Sequence, residues 1–234
     1  VYVSEYPRSG GTWFCQMLSD LIGIPFVRND WAPWSHGILH SHLPLRPGMT
    51  RPIHVVRDGR DVMVSAYYYF LMPSDHTPSA LTASWRQRMP FDDYHDIKAN
   101  LGQFIKIFNQ YYKVGNKAYS WQDHTKINLL CENSIMIKYE ELLKDPHQSL
   151  LRVLDHLGHV HLREQIDTVV KKYEFKNVSN RNRGEEDISA FQRKGIAGDW
   201  VNHFTTESLS VFYSYGTKEL SQIGYSLDTQ PSSC

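Results

Sequence analysis

The sequence predicts an α/β fold: a parallel sheet with helices on both faces. Short apolar runs at Val1–Glu5, Pro52–Arg57 and Ser134–Tyr139 each end in a polar or charged residue and lead into a helical pattern. Strands that alternate with helices pair in parallel, because each helix carries the chain back along the sheet before the next strand begins. Ligands of such sheets bind beyond the carboxyl ends of the strands, which directs attention to residues 6–13, 57–65 and 139.

Taken in order, Val1 to Glu5 is read as a strand and Thr12 to Ile22 as a helix, with Phe14, Met17, Leu18 and Leu21 at helical spacing. From Pro25 to Pro52 the chain is broken by Pro33, Pro44 and Pro47, so loops are expected around one extended piece, Gly37 to Leu43. A buried strand at Pro52–Arg57 precedes a helix from Gly59 to Leu71. Residues 79–125 read as mainly helical, most clearly at Tyr94 to Tyr112. A third strand, Ser134–Tyr139, is followed by one helix from Glu140 to Gly158 and another from Leu162 to Tyr173. A polar loop then runs to Asp199 before a last helix, Thr206 to Ile223. One domain over residues 1–227 and a flexible tail at 228–234 are expected.

With 234 residues, 41% of them hydrophobic and 21% charged, the chain has the composition of a soluble globular protein. Its 25 basic and 25 acidic residues cancel, so no global field draws nucleic acid or an anionic membrane, and an anion site must be built locally. Cys15, Cys131 and Cys234 are far apart and odd in number, which argues against a disulfide framework or zinc site and for a reducing, cytoplasmic compartment. No apolar run approaches the roughly 18 residues of a membrane span. The chain begins at Val1, inside a predicted strand and without Met, as it would if an upstream segment had been removed.

Three segments suit an anion. In Tyr6-Pro7-Arg8-Ser9-Gly10-Gly11-Thr12-Trp13 a strand turns into a helix whose first N–H groups face a ligand. Two glycines allow close backbone approach, Ser9 and Thr12 add hydroxyls, and Arg8 adds a cation. The Walker pattern is absent and no strand-end acid is read as a magnesium ligand, so phosphate fits but ATP or GTP hydrolysis does not. In the second segment Arg57 ends a strand and Ser65 follows in the second turn of a helix, a pair able to share one phosphate. In the third, Arg193 and Lys194 lie between glycine-containing turns, as a clamp over an anion would. Each has a plainer alternative: a ligand-free glycine turn, Arg57 paired on the surface with Asp58 or Asp61, and a solvated basic turn.

Together these residues resemble the sulfotransferases. Tyr6–Trp13 is similar to that family's 5′-phosphosulfate loop, YPKSGTTW, and Arg57 with Ser65 matches its 3′-phosphate pair. Arg193–Trp200 matches RKGxxGDW and continues through Val201–Thr205, while Tyr139–Leu142 resembles a YEDL-like segment, so the likeness spans residues 1 to 227. The resemblance implies a P-loop-like α/β fold and 3′-phosphoadenosine 5′-phosphosulfate (PAPS) as sulfuryl donor, with the bisphosphate PAP as product and no metal. It assigns Arg8, Ser9, Gly10, Gly11 and Thr12 to the 5′-phosphate. Arg57, Ser65, Arg193, Lys194 and Gly195 go to the 3′-phosphate, and Trp13 to the adenine, with Tyr139 and Phe175 nearby.

Ile38-Leu39-His40-Ser41-His42-Leu43-Pro44 resembles the family's K-T-H-L-P segment, which places the general base at His42 and, with Arg8 and Ser65, completes the expected catalytic set. His40 and His42 point to one side of an extended segment, but two ligands without a nearby cysteine do not make a metal site. The chain departs from the pattern in four places. Arg8 and His40 replace lysines, only 28 residues separate Trp13 from His42, and the KxxxTVxxxE dimer motif is reduced to Val201, Thr205, Thr206 and Ser210. Dimerisation through that motif is therefore not expected.

The acceptor is read as a small-molecule or glycan hydroxyl, facing Trp31, Trp34, Tyr67, Tyr68, Tyr69 and Phe70; about half of Tyr67 to Phe70 are expected to be ordinary helix packing. Two other function classes fit the same residues: a non-catalytic binder of PAPS or PAP, and a P-loop kinase of a small metabolite.

Overall fold

The computed structural model describes residues 1–28, 37–114 and 116–227. In chain order the elements are β1 (Tyr2–Glu5), α1 (Gly11–Ile22), β2 (Phe26–Arg28), β3 (Ile38–Ser41), β4 (Ile53–Val56), α2 (Gly59–Leu71), α3 (Ser79–Arg88) and α4 (Ile97–Tyr111). There follow β5 (Lys113–Val114), β6 (Lys117–Ala118), α5 (Trp121–Leu129), β7 (Ile135–Lys138), α6 (Tyr139–Lys144) and α7 (Pro146–Leu157). The remainder are α8 (Ile166–Lys172), α9 (Phe175–Ser179), α10 (Thr206–Ser214) and α11 (Lys218–Gln222), with 3₁₀ turns at Val160–Gln165 and Asp199–Asn202. Trp31, Trp34 and the 228–234 tail lie outside the described residues.

The fold is α/β, with a parallel sheet flanked by helices. Two compact units are present: Val1–Arg57 with His124–Arg183, and Asp58–Asp123 with Gly184–Cys234. The first holds the sheet, in the order β2-β3-β1-β4-β7, every neighbouring pair parallel. The central strand β1 thus delivers its following loop to the middle of the sheet's carboxyl edge. On one face, Val3, Ile38, Ile53, Val55 and Ile137 pack against Phe14, Met17, Leu18 and Leu21 of α1 and Leu150, Val153 and Leu154 of α7.

The other face carries polar residues in register, Ser4 opposite Ser41 of β3 and His54 of β4. Beneath them His124 and Asn128 of α5 close a buried network. His124 Nε2 is 3.4 Å from Ser4 Oγ, Asn128 lies 3.2 Å from His124 Nδ1, and Asn128 Oδ1 accepts the Leu45 N–H at 2.6 Å. Burial pushes the His54 imidazole down to about 3. It also holds His124 well below the usual histidine range, helped by the neighbouring His54 and His42. Both rings are neutral in the native state, whereas the unfolded chain takes up their protons below pH ~6.5. The stability they contribute is therefore complete above pH ~6.5 and is lost as pH falls towards 3. Chemical unfolding between about pH 7 and about pH 5 is expected to lose up to ~1.4 kcal/mol per pH unit per histidine, and less in His54→Gln. An equal slope in that variant would remove His54 from the account.

The second unit is mainly helical. Phe70 of α2 meets Trp85 of α3 and Phe108 of α4, each at 5.3 Å between ring centroids, and Tyr67 meets Phe104 at 5.3 Å. Tyr67 and Phe70 are therefore core, as the helix-packing reading had it for about half of Tyr67 to Phe70. Tyr68 and Tyr69 are half-buried.

Several elements differ from the sequence reading: β5 and β6 pair antiparallel within the stretch 79–125, and α9 lies in the expected polar loop. Residues 25–52 contain a second strand, β2, paired with β3. The helix expected over 140–158 is two, because Pro146 cannot donate to the preceding turn, and Asp145 instead caps α7 by accepting the Gln148 N–H. The last helix breaks at Gly216, whose φ of 134° no helical residue adopts. No helix among the described residues is long and apolar enough to cross a membrane.

Candidate active site

In the first unit the site begins where β1 ends. Ser9 N–H closes the turn on Tyr6 O at 3.2 Å, Arg8 and Gly10 take φ values of 72° and 91°, and α1 starts at Gly11. Gly10 is sterically required, and at Gly11 a side chain would displace the Glu5 carboxylate. A Cβ on Gly10 would stand 2.6 Å from the Tyr139 ring, and one on Gly11 would stand 2.5 Å from the Glu5 carboxyl carbon. The Ser9 hydroxyl is buried and has no partner in the protein. Leaving it so costs about 1–3 kcal/mol, which an oxygen of a bound anion would offset. That orphaned hydroxyl and the two bare glycines at the amino end of a 12-residue helix fit a phosphate-type group.

Around this loop the first unit gathers most of the expected nucleotide residues. Arg57 Nη1 donates to Arg8 O at 3.4 Å, and its guanidinium sits 4.5 Å from the Tyr139 ring centroid. Trp13 meets Tyr139 edge-on at 6.1 Å and donates its Nε1–H to Tyr173 O at 2.9 Å, which fixes the indole while its ring also borders the core. Phe175 opens α9, is buried, and lies 5.5 Å beneath the Arg181 guanidinium.

His42 follows β3, its side chain 39% exposed, with Nδ1 3.3 Å from the Glu5 carbonyl oxygen and 3.9 Å from Glu5 Oε1. A carbonyl only accepts, so this contact is a hydrogen bond when Nδ1 carries a proton, and in the neutral ring that tautomer leaves the lone pair on Nε2. Sequence reasoning missed Glu5, although it is a strand-end acid and period-two alternation puts it on the same face as Val3. Its carboxylate is buried and accepts from Gly11 N–H at 2.5 Å and His40 Nε2 at 2.7 Å. Burial opposes its ionisation, but the His40 bond, the His40 and His42 rings and the Gly11 N–H together hold it below the usual carboxylate range. The ligand-capable atoms of Glu5, His40 and His42 lie within 4.8 Å of one another, a third member that the two-histidine reading lacked. The carboxylate already serves two donors, so the arrangement is read as a hydrogen-bonded charge cluster.

The second unit contains Ser65, Arg193, Lys194 and Gly195. Ser65 is buried on α2. Arg193 and Lys194 are neither a solvated turn nor loose: Arg193 bonds Glu186 and, at 2.6 Å, Asp199, while Lys194 bonds Asp199 at 2.7 Å. Asp199 also accepts from Asn202 at 3.0 Å and His203 at 3.1 Å. Burial works against its charge, yet these four donors hold the carboxyl far below its ordinary range. The Arg193 guanidinium covers the Tyr68 ring at 4.6 Å. Asp58 and Asp61 have partners within the second unit. Asp58 clamps Arg60, which stacks on Trp200 at 3.9 Å, and Asp61 accepts the N–H groups of Gly198 and Trp200. These acids shape the loop, and only the folded chain brings them to it.

The sequence profile of the sulfotransferase domain matches residues 27–224. The chain belongs to the sulfotransferase family. Among relatives of this sulfotransferase, 3-beta-hydroxysteroid sulfotransferase from Cavia porcellus is 28% identical over 88% of the chain and 78% of its own length. Sulfotransferase 2B1 from Mus musculus is 28% identical over 92% and 69%. In fold it is similar to mouse sulfotransferase SULT7A1 complexed with PAP, with a TM-score of 0.68 at 20% identity, covering 96% of this chain and 85% of that one. Retinol dehydratase in complex with retinol and PAP gives 0.66 at 17% identity, covering 94% and 80%.

Proposed function

We propose that this sulfotransferase moves the sulfuryl group of PAPS to the hydroxyl of a small molecule, with His42 as general base. The observation that carries the reading is the loop Arg8–Thr12, where an unpartnered buried Ser9 hydroxyl and two glycines sit at the start of α1. Support for the donor comes from the neighbours of similar fold, which hold PAP. Support for a small hydroxyl acceptor comes from relatives whose names include a 3-beta-hydroxysteroid and from a neighbour holding retinol.

Arg8, Ser9, Gly10, Gly11 and Thr12 would hold the 5′-phosphosulfate, with Trp13, Tyr139 and Phe175 at the adenine. By motif, Arg57, Ser65, Arg193, Lys194 and Gly195 would hold the 3′-phosphate. The donor supplies an activated sulfuryl group and departs as PAP. His42 Nε2 takes the acceptor proton as the hydroxyl oxygen bonds to sulfur. Arg8 and the N–H groups of α1 beyond Gly11, whose own N–H serves Glu5, take up the charge left on the bridging oxygen as its bond to sulfur breaks. Arg8 is always charged, so its part is electrostatic.

An acceptor screen with sulfur-labelled PAPS, without magnesium, is expected to yield product heavier than the acceptor by one sulfuryl group. Tight PAP binding with no turnover across the panel would favour a non-catalytic binder. Magnesium-dependent binding of ATP in preference to PAP would favour a kinase.

A further inference from the structure

The Glu5 carboxylate has no part in the chemistry just described, yet it is buried among the residues of that chemistry. Its place follows from the sheet. Val3 is in register with His40 across β1 and β3, so one step further along, Glu5 and His42 share the same face at the carboxyl edge. A carboxylate is kept out of water only where donors compensate it. Glu5 has two, Gly11 N–H at 2.5 Å and His40 Nε2 at 2.7 Å. The first belongs to the opening residue of α1, and Gly11 has no side chain where a Cβ would meet the carboxyl carbon at 2.5 Å. Glu5 and Gly11 are thus a matched pair, the acid occupying the space that a larger residue at position 11 would need.

We propose that Glu5 is a positioning residue of the transfer reaction, one that fixes the His42 ring and ties it to the donor loop. The assignment rests on the functional reading above. The Glu5 carbonyl accepts from His42 Nδ1 at 3.3 Å, which leaves Nε2 free of its proton. The carboxylate, 3.9 Å from the same nitrogen, favours the imidazolium that forms when Nε2 takes the acceptor proton. The His40 bond prevents the carboxylate from turning away, and the Gly11 bond keeps the start of α1 at a fixed distance from the base. A charge that acts mainly once the proton has moved contributes to kcat more than to donor binding.

Two measurements on the full chain test this. Side-chain ¹H–¹⁵N NMR of the wild type, with the His42 signals identified by their loss in His42→Gln, is expected to show the Nδ1–H tautomer. A predominant Nε2–H tautomer would overturn the proposal whether or not the protein turns over. In Glu5→Gln, which keeps the size and an acceptor oxygen, kcat is expected to fall about 10–100-fold while the donor KM moves less than about threefold. Glu5→Asp, which restores the charge, is expected to recover part of the loss. A Glu5→Gln enzyme with unchanged kcat, or with its entire loss in donor KM, would also overturn it. If wild type binds PAP but transfers to no acceptor, the functional reading fails, and the tautomer still decides the geometric claim about Glu5.

Discussion

His42→Ala is expected to lower kcat about 10²–10⁴-fold while leaving PAP affinity within about threefold of wild type. The separation follows from where the ring sits. His42 follows β3 and faces Glu5, whereas the loop proposed to hold the donor is built from the turn after β1 and the first residues of α1. Its side chain is 39% exposed, so truncation empties little of the core and the fold should survive. With the base removed, the loop hydroxyls, Arg8 and the helix N–H groups remain, and residual turnover measures what they achieve alone. Initial rates with labelled donor, together with calorimetric titration of PAP, give both quantities. Turnover near wild type with intact binding would remove His42 as the base.

The second large effect is expected at Asp199. Asp199→Ala removes one carboxylate from four donors, Arg193, Lys194, Asn202 and His203, in a position only 2% exposed. Breaking a buried ion pair on one side leaves the other charge poorly solvated, and a loss of about 3 kcal/mol in unfolding free energy is expected. Two cations released from their anchor also start from a wider set of conformations before they can hold a phosphate. PAP affinity should then fall about tenfold or more. Asp199→Asn, which keeps an acceptor but not the charge, should fall between. Chemical unfolding and PAP titration of the two variants check this; an Asp199→Ala protein with wild-type stability would show that the cations find other partners at no cost.

Much of the fold was legible because its signals are local. Apolar runs at 1–5, 52–57 and 134–139 became β1, β4 and β7, and the spacing of Phe14, Met17, Leu18 and Leu21 became the buried stripe of α1. Where the reading erred, a backbone detail intervened: Pro146 split a helix, Gly216 ended another, and β2 is three residues long, too short for any period to show. The loop Tyr6–Trp13 was legible for a different reason. A turn that must expose N–H groups needs glycines in sequence, and they leave a pattern.

Glu5, Asp61 and Asp199 were visible as residues but not as roles. Seen alone, each is an acid whose sequence neighbours do not name its partner. Glu5 becomes the partner of His40 and His42 only because β1 pairs with β3 in one register, and a slip of one residue would send it to the opposite face. Asp61 reaches Gly198 and Trp200 across 137 and 139 residues of chain. The sequence by itself determined the family, the α/β plan and the glycine turn between β1 and α1, since all three are written in contiguous residues. Tertiary structure alone decided which carboxylates face His42 and the cations, because burial and register arise only when distant segments pack together.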